Sequence, residues 1–310
     1  MLFATLAATS ADVAATRSRL AKRALIAAAI LQAVPAEPAV PGVPPDQVDT
    51  AEVALVVTYL SGSLRQRRTG VGWASLTSLP APAPQAELTV TDVDTAFEAI
   101  SALGGAGSAA LRSAAVESLF GRATEPEQRL LRGLVFDEIR QGALDSLVQD
   151  GLAEAFGVPA KAVQRAAMLL GSTAAAARVL AASGLDGLTA VTLAVGQPVR
   201  PMLAASAPDV AGAVAKTGLP AVVDTKLDGI RVQVHRDGDE ISVYTRSLDD
   251  ITGRVPEIVA VVRALPIDRI VLDGEVLSVG PDGRPLTFQV IASRTMTKLD
   301  IDAGQARTPL

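Results

Sequence analysis

Cysteine is absent from the 310 residues, and histidine occurs once, at position 235. Disulfides, cysteine metal sites and thiol catalysis are therefore excluded, and the composition fits a reducing compartment. One imidazole argues against a histidine-rich metal site and against a Ser-His-Asp triad. Aromatic residues make up only 3%, so a core must be built from Ala, Val, Leu and Ile. Long apolar runs are also missing. The most apolar stretch, 24–34, is stopped by Arg23 and Pro35 and is too short to span a bilayer. No positive charge precedes the first apolar residues, so no secretory signal is expected. The expectation is a cytoplasmic monomer without a membrane partner.

The chain is long enough for about two domains. Hydrophobic residues reach 49% and charged residues 20%, which permits packed cores and argues against global disorder. The net charge of −5 speaks against a nucleic-acid partner when taken alone. Basic residues nevertheless cluster at Arg17, Arg19, Lys22 and Arg23, and again at Arg65, Arg67 and Arg68. Such a stripe can neutralise phosphates on an otherwise acidic protein. Each group reads equally well as a solvated helix face.

Two textures meet near residue 195. The earlier part is alanine-rich and helical. Thr91 with Asp94 and Thr124 with Glu127 have capping-box spacing, and Pro126 falls in the first turn of the second helix. Leu130, Leu131 and Leu134 share a helical face, and Pro159 opens a helix carrying Val163, Ala166, Ala167 and Leu170. A short helix over 174–182 is expected to end at Gly184. The proline-rich run 35–45 and the stretch 77–85 must be loops. After residue 195 the pattern alternates. Val222-Val223, 231–235, 241–244 and 270–272 read as strands, with Asp237-Gly238 as a tight hairpin and a helix over 256–265. His235 reads as a solvated strand residue. Residues 197–201, Gln-Pro-Val-Arg-Pro, read as the linker.

Three motifs in the second part carry chemistry. In Lys226-Leu227-Asp228-Gly229-Ile230-Arg231, the lysine sits at an expected strand-to-loop junction. A neutral amine there can attack a phosphate, and partial burial and the charge of Arg231 would favour the neutral form. Gly229 allows close approach of the backbone. Lys226 also reads as a surface lysine beside a turn. In Tyr244-Thr245-Arg246-Ser247, Arg246 lies where the chain leaves a strand and suits a phosphate, or a surface salt bridge. In Leu272-Asp273-Gly274-Glu275-Val276, Glu275 suits a ribose hydroxyl or balances Lys226, or faces outward.

Taken together, in this order and spacing, the three motifs resemble the nucleotidyltransferase signature of ATP-dependent DNA ligases, RNA ligases and mRNA capping enzymes. The resemblance implies that Lys226 takes AMP from ATP as a phosphoramide. It implies that Arg231, Arg246 and Glu275 contact ribose and phosphate, and that Asp224 reads adenine where the family commonly has Glu. The helical part resembles the amino-terminal DNA-binding domain of DNA ligases. The matching runs are Ala15-Thr16-Arg17-Ser18-Arg19-Leu20, Tyr59-Leu60-Ser61-Gly62, Gly70-Val71-Gly72-Trp73 and Ile139-Arg140-Gln141-Gly142-Ala143-Leu144. Pro198-Val199-Arg200-Pro201-Met202-Leu203-Ala204 resembles the junction into the adenylation domain. The nearest resemblance is to the actinobacterial ligase B group.

The implied architecture is an all-α DNA-binding domain over 1–195. It is followed over 196–310 by part of an α+β adenylation domain with antiparallel sheets. The implied activity is sealing of nicks in duplex DNA, in replication, repair or recombination, with ATP as AMP donor and Mg²⁺ offsetting phosphate charge. The resemblance also implies motifs and an OB-fold domain beyond Leu310, so the chain is expected to be incomplete and to label weakly with ATP. Phe288 is expected in the core. An RNA-joining or capping enzyme, and a DNA-binding module with a vestigial nucleotide pocket, remain open alternatives.

Overall fold

The computed structural model describes residues 1–34, 48–66, 68–139, 141, 145–297 and 300–310. The proline-rich run 35–45, Arg67, Arg140 and 142–144 lie outside the described residues. The chain divides into two compact units, Met1–Thr192 and Leu193–Leu310.

The first unit is helical. It contains α1 (Phe3–Ala15), α2 (Arg19–Ala33), α3 (Ala51–Leu60), α4 (Val90–Ala102) and α5 (Ser108–Arg122). Then come α6 (Glu125–Val135), α7 (Asp145–Phe156), α8 (Ala160–Leu169) and α9 (Thr173–Ala190). Sequence-local chemistry sets several of their ends. Thr124 and Glu127 form the expected capping box, with Pro126 in the first turn of α6. Leu130, Leu131 and Leu134 are buried on one face of that helix. The box expected at Thr91 and Asp94 is instead made by Thr89 and Asp92. It lies two residues earlier because Val90 is itself buried and helical. The helix expected to stop at Gly184 kinks there, with φ +60°, and resumes to Ala190. Glycine tolerates that φ where other residues are strained.

Few aromatics make a core of small side chains, and small side chains let helices approach closely. A Cβ added at Gly151 of α7 would lie 2.5 Å from Ile26 Cγ2 of α2. Along the same contact Arg19 pairs with Asp150 at 2.8 Å and Arg23 pairs with Glu154. Both pairs follow a four-residue step on each helix, so they lie on facing stripes. Among the described residues, no single helix is long and apolar enough to cross a membrane.

The second unit is α+β. It contains α10 (Val210–Thr217), β1 (Ile230–Asp237), β2 (Glu240–Thr245), α11 (Pro256–Arg263), β3 (Arg269–Val276), α12 (Phe288–Met296) and α13 (Ile301–Arg307). The three strands form an antiparallel sheet in the order β2-β1-β3. The hairpin between β1 and β2 is the one expected, and Gly238 takes φ +60° in it. Alternation sorts the two faces. Val232, Val234, Ile241, Val243 and Val276 are buried with Val255 and Val262 in one apolar cluster, against which α11 residues Ile258 and Val259 pack. Side chains at 231, 233, 235, 244, 273 and 275 point to the opposite face.

Two expectations fail here. Val222 and Val223 form no strand, and they are 96% and 94% exposed. A strand needs a neighbouring backbone, and among the described residues none pairs with this segment. Phe288 begins α12 and is 43% exposed rather than in the core.

Candidate functional site

Strand register assembles most of the site. Arg231 of β1 lies opposite Glu275 of β3. Val232 lies opposite Thr245 of β2, and Arg246 follows Thr245 in the turn on the other side of β1. Arg231 and Glu275 therefore form a cross-strand pair, and Arg246, in the turn that leaves β2, lies at the same end of the sheet. Residues directly opposite each other share a face. Glu275 turns back on the motif that precedes β1, and its Oε1 accepts from the Gly229 N–H at 3.1 Å.

Arg231 is fixed by a partner that the sequence reading did not single out. Its Nε and Nη2 donate to the two carboxylate oxygens of Asp273 at 3.0 and 2.7 Å. This two-pronged bond holds the Asp273 carboxyl below the usual carboxylate range and Arg231 above its ordinary value. Arg231 Nη1 also donates to the Met202 carbonyl at 3.1 Å. The signal for Asp273 was available, because it follows the same two-residue step as Glu275 on β3.

Lys226 stands apart. Its side chain is 83% exposed, and Nζ pairs with Asp228 at 3.0 Å. The partial burial expected to favour a neutral amine is absent, because residues 221–228 do not join the sheet. Asp224 is exposed, and its Oδ1 accepts from the next backbone N–H, that of Thr225, at 2.7 Å. The structure thus brings Gly229, Arg231, Arg246 and Glu275 to one end of the sheet and leaves Asp224 and Lys226 on an exposed approach to it.

His235 corrects the sequence reading. It is 1% exposed rather than solvated. Its Nδ1 accepts from the Gly196 N–H at 3.0 Å, and its ring meets Tyr244 edge-on at 5.3 Å. Burial pushes its pKa below the ordinary value, which is about 6.5. The unfolded chain then binds the proton more readily than the folded one. Stability is full above about pH 6.5 and falls as pH drops through that value toward the depressed folded pKa. The urea midpoint of this unit is expected to fall between pH 7.5 and 5.5, and the fall is expected to shrink in His235→Gln. Equal pH sensitivity in the two proteins would contradict this account.

Most described members of the two basic groups read from the sequence have partners. Arg19 and Arg23 hold Asp150 and Glu154, Lys22 donates to the Gln141 carbonyl, and Arg65 holds Asp94 and Glu98. Gln141, from one of the runs read as a ligase motif, is buried, and its amide donates to the Leu60 carbonyl at 2.6 Å. Arg17, Arg68 and Trp73 stay exposed.

Comparison with known proteins supplies the context. Residues 201–310 match the family described as ATP dependent DNA ligase domain. The chain is 56% identical over its whole length to a "Probable DNA ligase" of Beutenbergia cavernae, covering 59% of that protein. It is 57% identical to a "Probable DNA ligase" of Nocardioides sp., covering 58%. It is 49% identical to "DNA ligase B" of Mycobacterium tuberculosis, again covering 58%. The chain therefore spans somewhat more than half the length of these relatives. A solved structure titled "Pmar-Lig_Pre." matches 95% of the chain and 53% of its own length, with TM-score 0.52 at 16% identity. That likeness concerns the fold alone. Residues 201–310 are thus similar to the family described as ATP dependent DNA ligase domain, and the chain over its whole length is similar to proteins named DNA ligase.

Proposed function

We propose that the protein carrying this chain seals nicks in duplex DNA through a lysyl-AMP intermediate. The observation that carries the reading is the placing of Arg246, Arg231 and Glu275 at one end of the sheet, closed by Gly229 and approached by the segment bearing Lys226. Two guanidinium groups and a carboxylate at one sheet end suit the phosphates and ribose of a nucleotide. Asp224 is the candidate for reading adenine.

In the first step the neutral Lys226 Nζ attacks the α-phosphorus of ATP. A P–N bond forms, the bond to pyrophosphate breaks, and the amine loses a proton. In the second step a 5′-phosphate oxygen takes the AMP and frees the lysine. In the third the 3′-hydroxyl attacks that 5′-phosphorus and AMP leaves. Lys226 is solvent-facing in this form, so the reading requires segment 221–228 to move onto that sheet end. The Asp228 partner must also give way to the triphosphate. Asp228 is a hard oxygen donor of the kind Mg²⁺ accepts, and once released from Lys226 it would hold the ion together with the ATP phosphates. When bound, Mg²⁺ offsets charge on the phosphates and leaving groups.

The helical unit would hold the duplex through phosphates, independently of sequence. Within the two basic groups read from the sequence, exposed Arg17 and Arg68 are the candidate phosphate contacts, with exposed Trp73 near Arg68 in sequence. The protein at its natural length should acquire a covalent label from α-labelled ATP and pass it to nicked DNA. Transfer to nicked RNA duplex as readily as to DNA would favour an RNA-joining enzyme. DNA binding without any label would favour a non-catalytic module.

A further inference from the structure

The Arg231–Glu275 pair is continuous with a second feature on the same face of β1. Arg231, Gln233 and His235 alternate along the strand, so all three side chains leave the same side of the sheet. Each one binds backbone of the segment Gly196–Met202, and the partners run in the opposite direction. Arg231 Nη1 donates to the Met202 carbonyl at 3.1 Å. The Gln233 amide brackets Val199, accepting from its N–H at 3.0 Å and donating to its carbonyl. His235 Nδ1 accepts from the Gly196 N–H at 3.0 Å, while Tyr244 of β2 donates its hydroxyl to the Gly196 carbonyl at 2.9 Å.

The segment contains Pro198 and Pro201, which lack the N–H that sheet pairing needs. It therefore cannot add as a full strand, and side chains take over the pairing. Proline also limits the freedom this segment has to lose when it docks. Gln233 is 5% exposed and His235 1% exposed. Undocking would leave both polar groups buried without partners, or would open the face to water.

We propose that this ladder is a positioning device: Gln233 and His235 hold the strap 196–202 down, and the strap, through Met202, holds Arg231 in line for the nucleotide. The proposal rests on the nucleotidyltransferase reading above. Asp273 restrains Arg231 from β3, and Met202 restrains it from the strap. A slack strap leaves the guanidinium one anchor instead of two. The consequence belongs to nucleotide binding rather than to the lysine chemistry.

The test uses the protein at its natural length with Gln233→Leu, which keeps the bulk and removes both bonds. Two quantities are measured: amide hydrogen exchange at Gly196 and Val199, and the ATP concentration giving half-maximal covalent label. Exchange at Val199 is expected to quicken by at least about tenfold, since both bonds to it are lost, and half-saturation to rise by about tenfold, the effect of losing the Met202 anchor on Arg231. The final extent of label at saturating ATP should be unchanged. Tyr244→Phe, which removes a single hydroxyl, gives the same pair of readouts at Gly196 with a smaller shift and serves if Gln233→Leu does not fold. Unchanged exchange would overturn the ladder. Faster exchange with unchanged half-saturation, or with loss only in final label, would overturn the positioning role. A wild-type protein that takes no label would overturn the nucleotidyltransferase reading and the positioning role with it, while the exchange rates would still report whether the ladder holds the strap.

Discussion

Lys226→Ala is expected to abolish covalent AMP labelling, a loss of at least about three orders of magnitude, since the bond-forming atom itself is removed. Lys226→Arg should fail as completely, because a guanidinium stays protonated at any workable pH and offers no lone pair. Neither change should matter to folding. The side chain is 83% exposed, and its partner Asp228 is 77% exposed, and such surface pairs contribute roughly 0–1 kcal/mol. The two readouts therefore separate cleanly: the label disappears while the urea midpoint stays. Mass spectrometry of the wild-type protein should place the adenylyl group on the peptide containing residue 226. A Lys226→Ala protein that labels as strongly as the wild type would remove the nucleophile from the scheme.

Gly229→Ala is the second large effect, and here folding and chemistry fail together. A Cβ at this position would lie 2.2 Å from the Val276 carbonyl oxygen, 2.6 Å from Leu277 Cδ2 and 3.0 Å from Glu275 Cγ. The nearest atom is backbone, and Val276 pairs with Ile230 in the β1–β3 ladder, so relief requires the two strands to part. Overpacking of this kind typically costs about 1–3 kcal/mol. It also pushes away Glu275, whose carboxylate holds the Gly229 N–H. Both the denaturation midpoint and the label are expected to fall. Gly274→Ala is the matched control. Nothing lies within 4 Å of the Cβ it would add, and a change within about 0.5 kcal/mol is expected. Equal stability of Gly229→Ala and Gly274→Ala would show that the close approach at 229 is not a constraint.

These two positions divide the site into what was legible beforehand and what was not. The residue types of the three motifs were visible because each piece of chemistry requires a particular functional group. The pairing of Arg231 with Glu275, and Arg246 at the same sheet end, follow from antiparallel register, which period-two alternation and the Asp237-Gly238 turn largely dictate. The role of Gly229 was only half visible. Asp-Gly signals a turn, but the contact that forbids a side chain comes from β3, 46 residues away through Glu275. Exposure of Lys226 was one of two readings the sequence left open, and the choice was not local, since high β-propensity at Val222 and Val223 forms a strand only where another backbone accepts it.

Local signals therefore determined helix ends such as Thr124–Glu127, the hairpin and the helix opened by Pro256. These depend on interactions spanning a few residues, whose geometry the backbone sets directly. Tertiary structure decided which polar groups are neutralised and which faces meet water. Arg19 and Arg23 find their carboxylates 131 positions away, and His235 becomes buried because the segment beginning at Gly196 lies over its strand face. Alternation separates the two sides of a strand, but only the packing of a distant segment determines which side is dry.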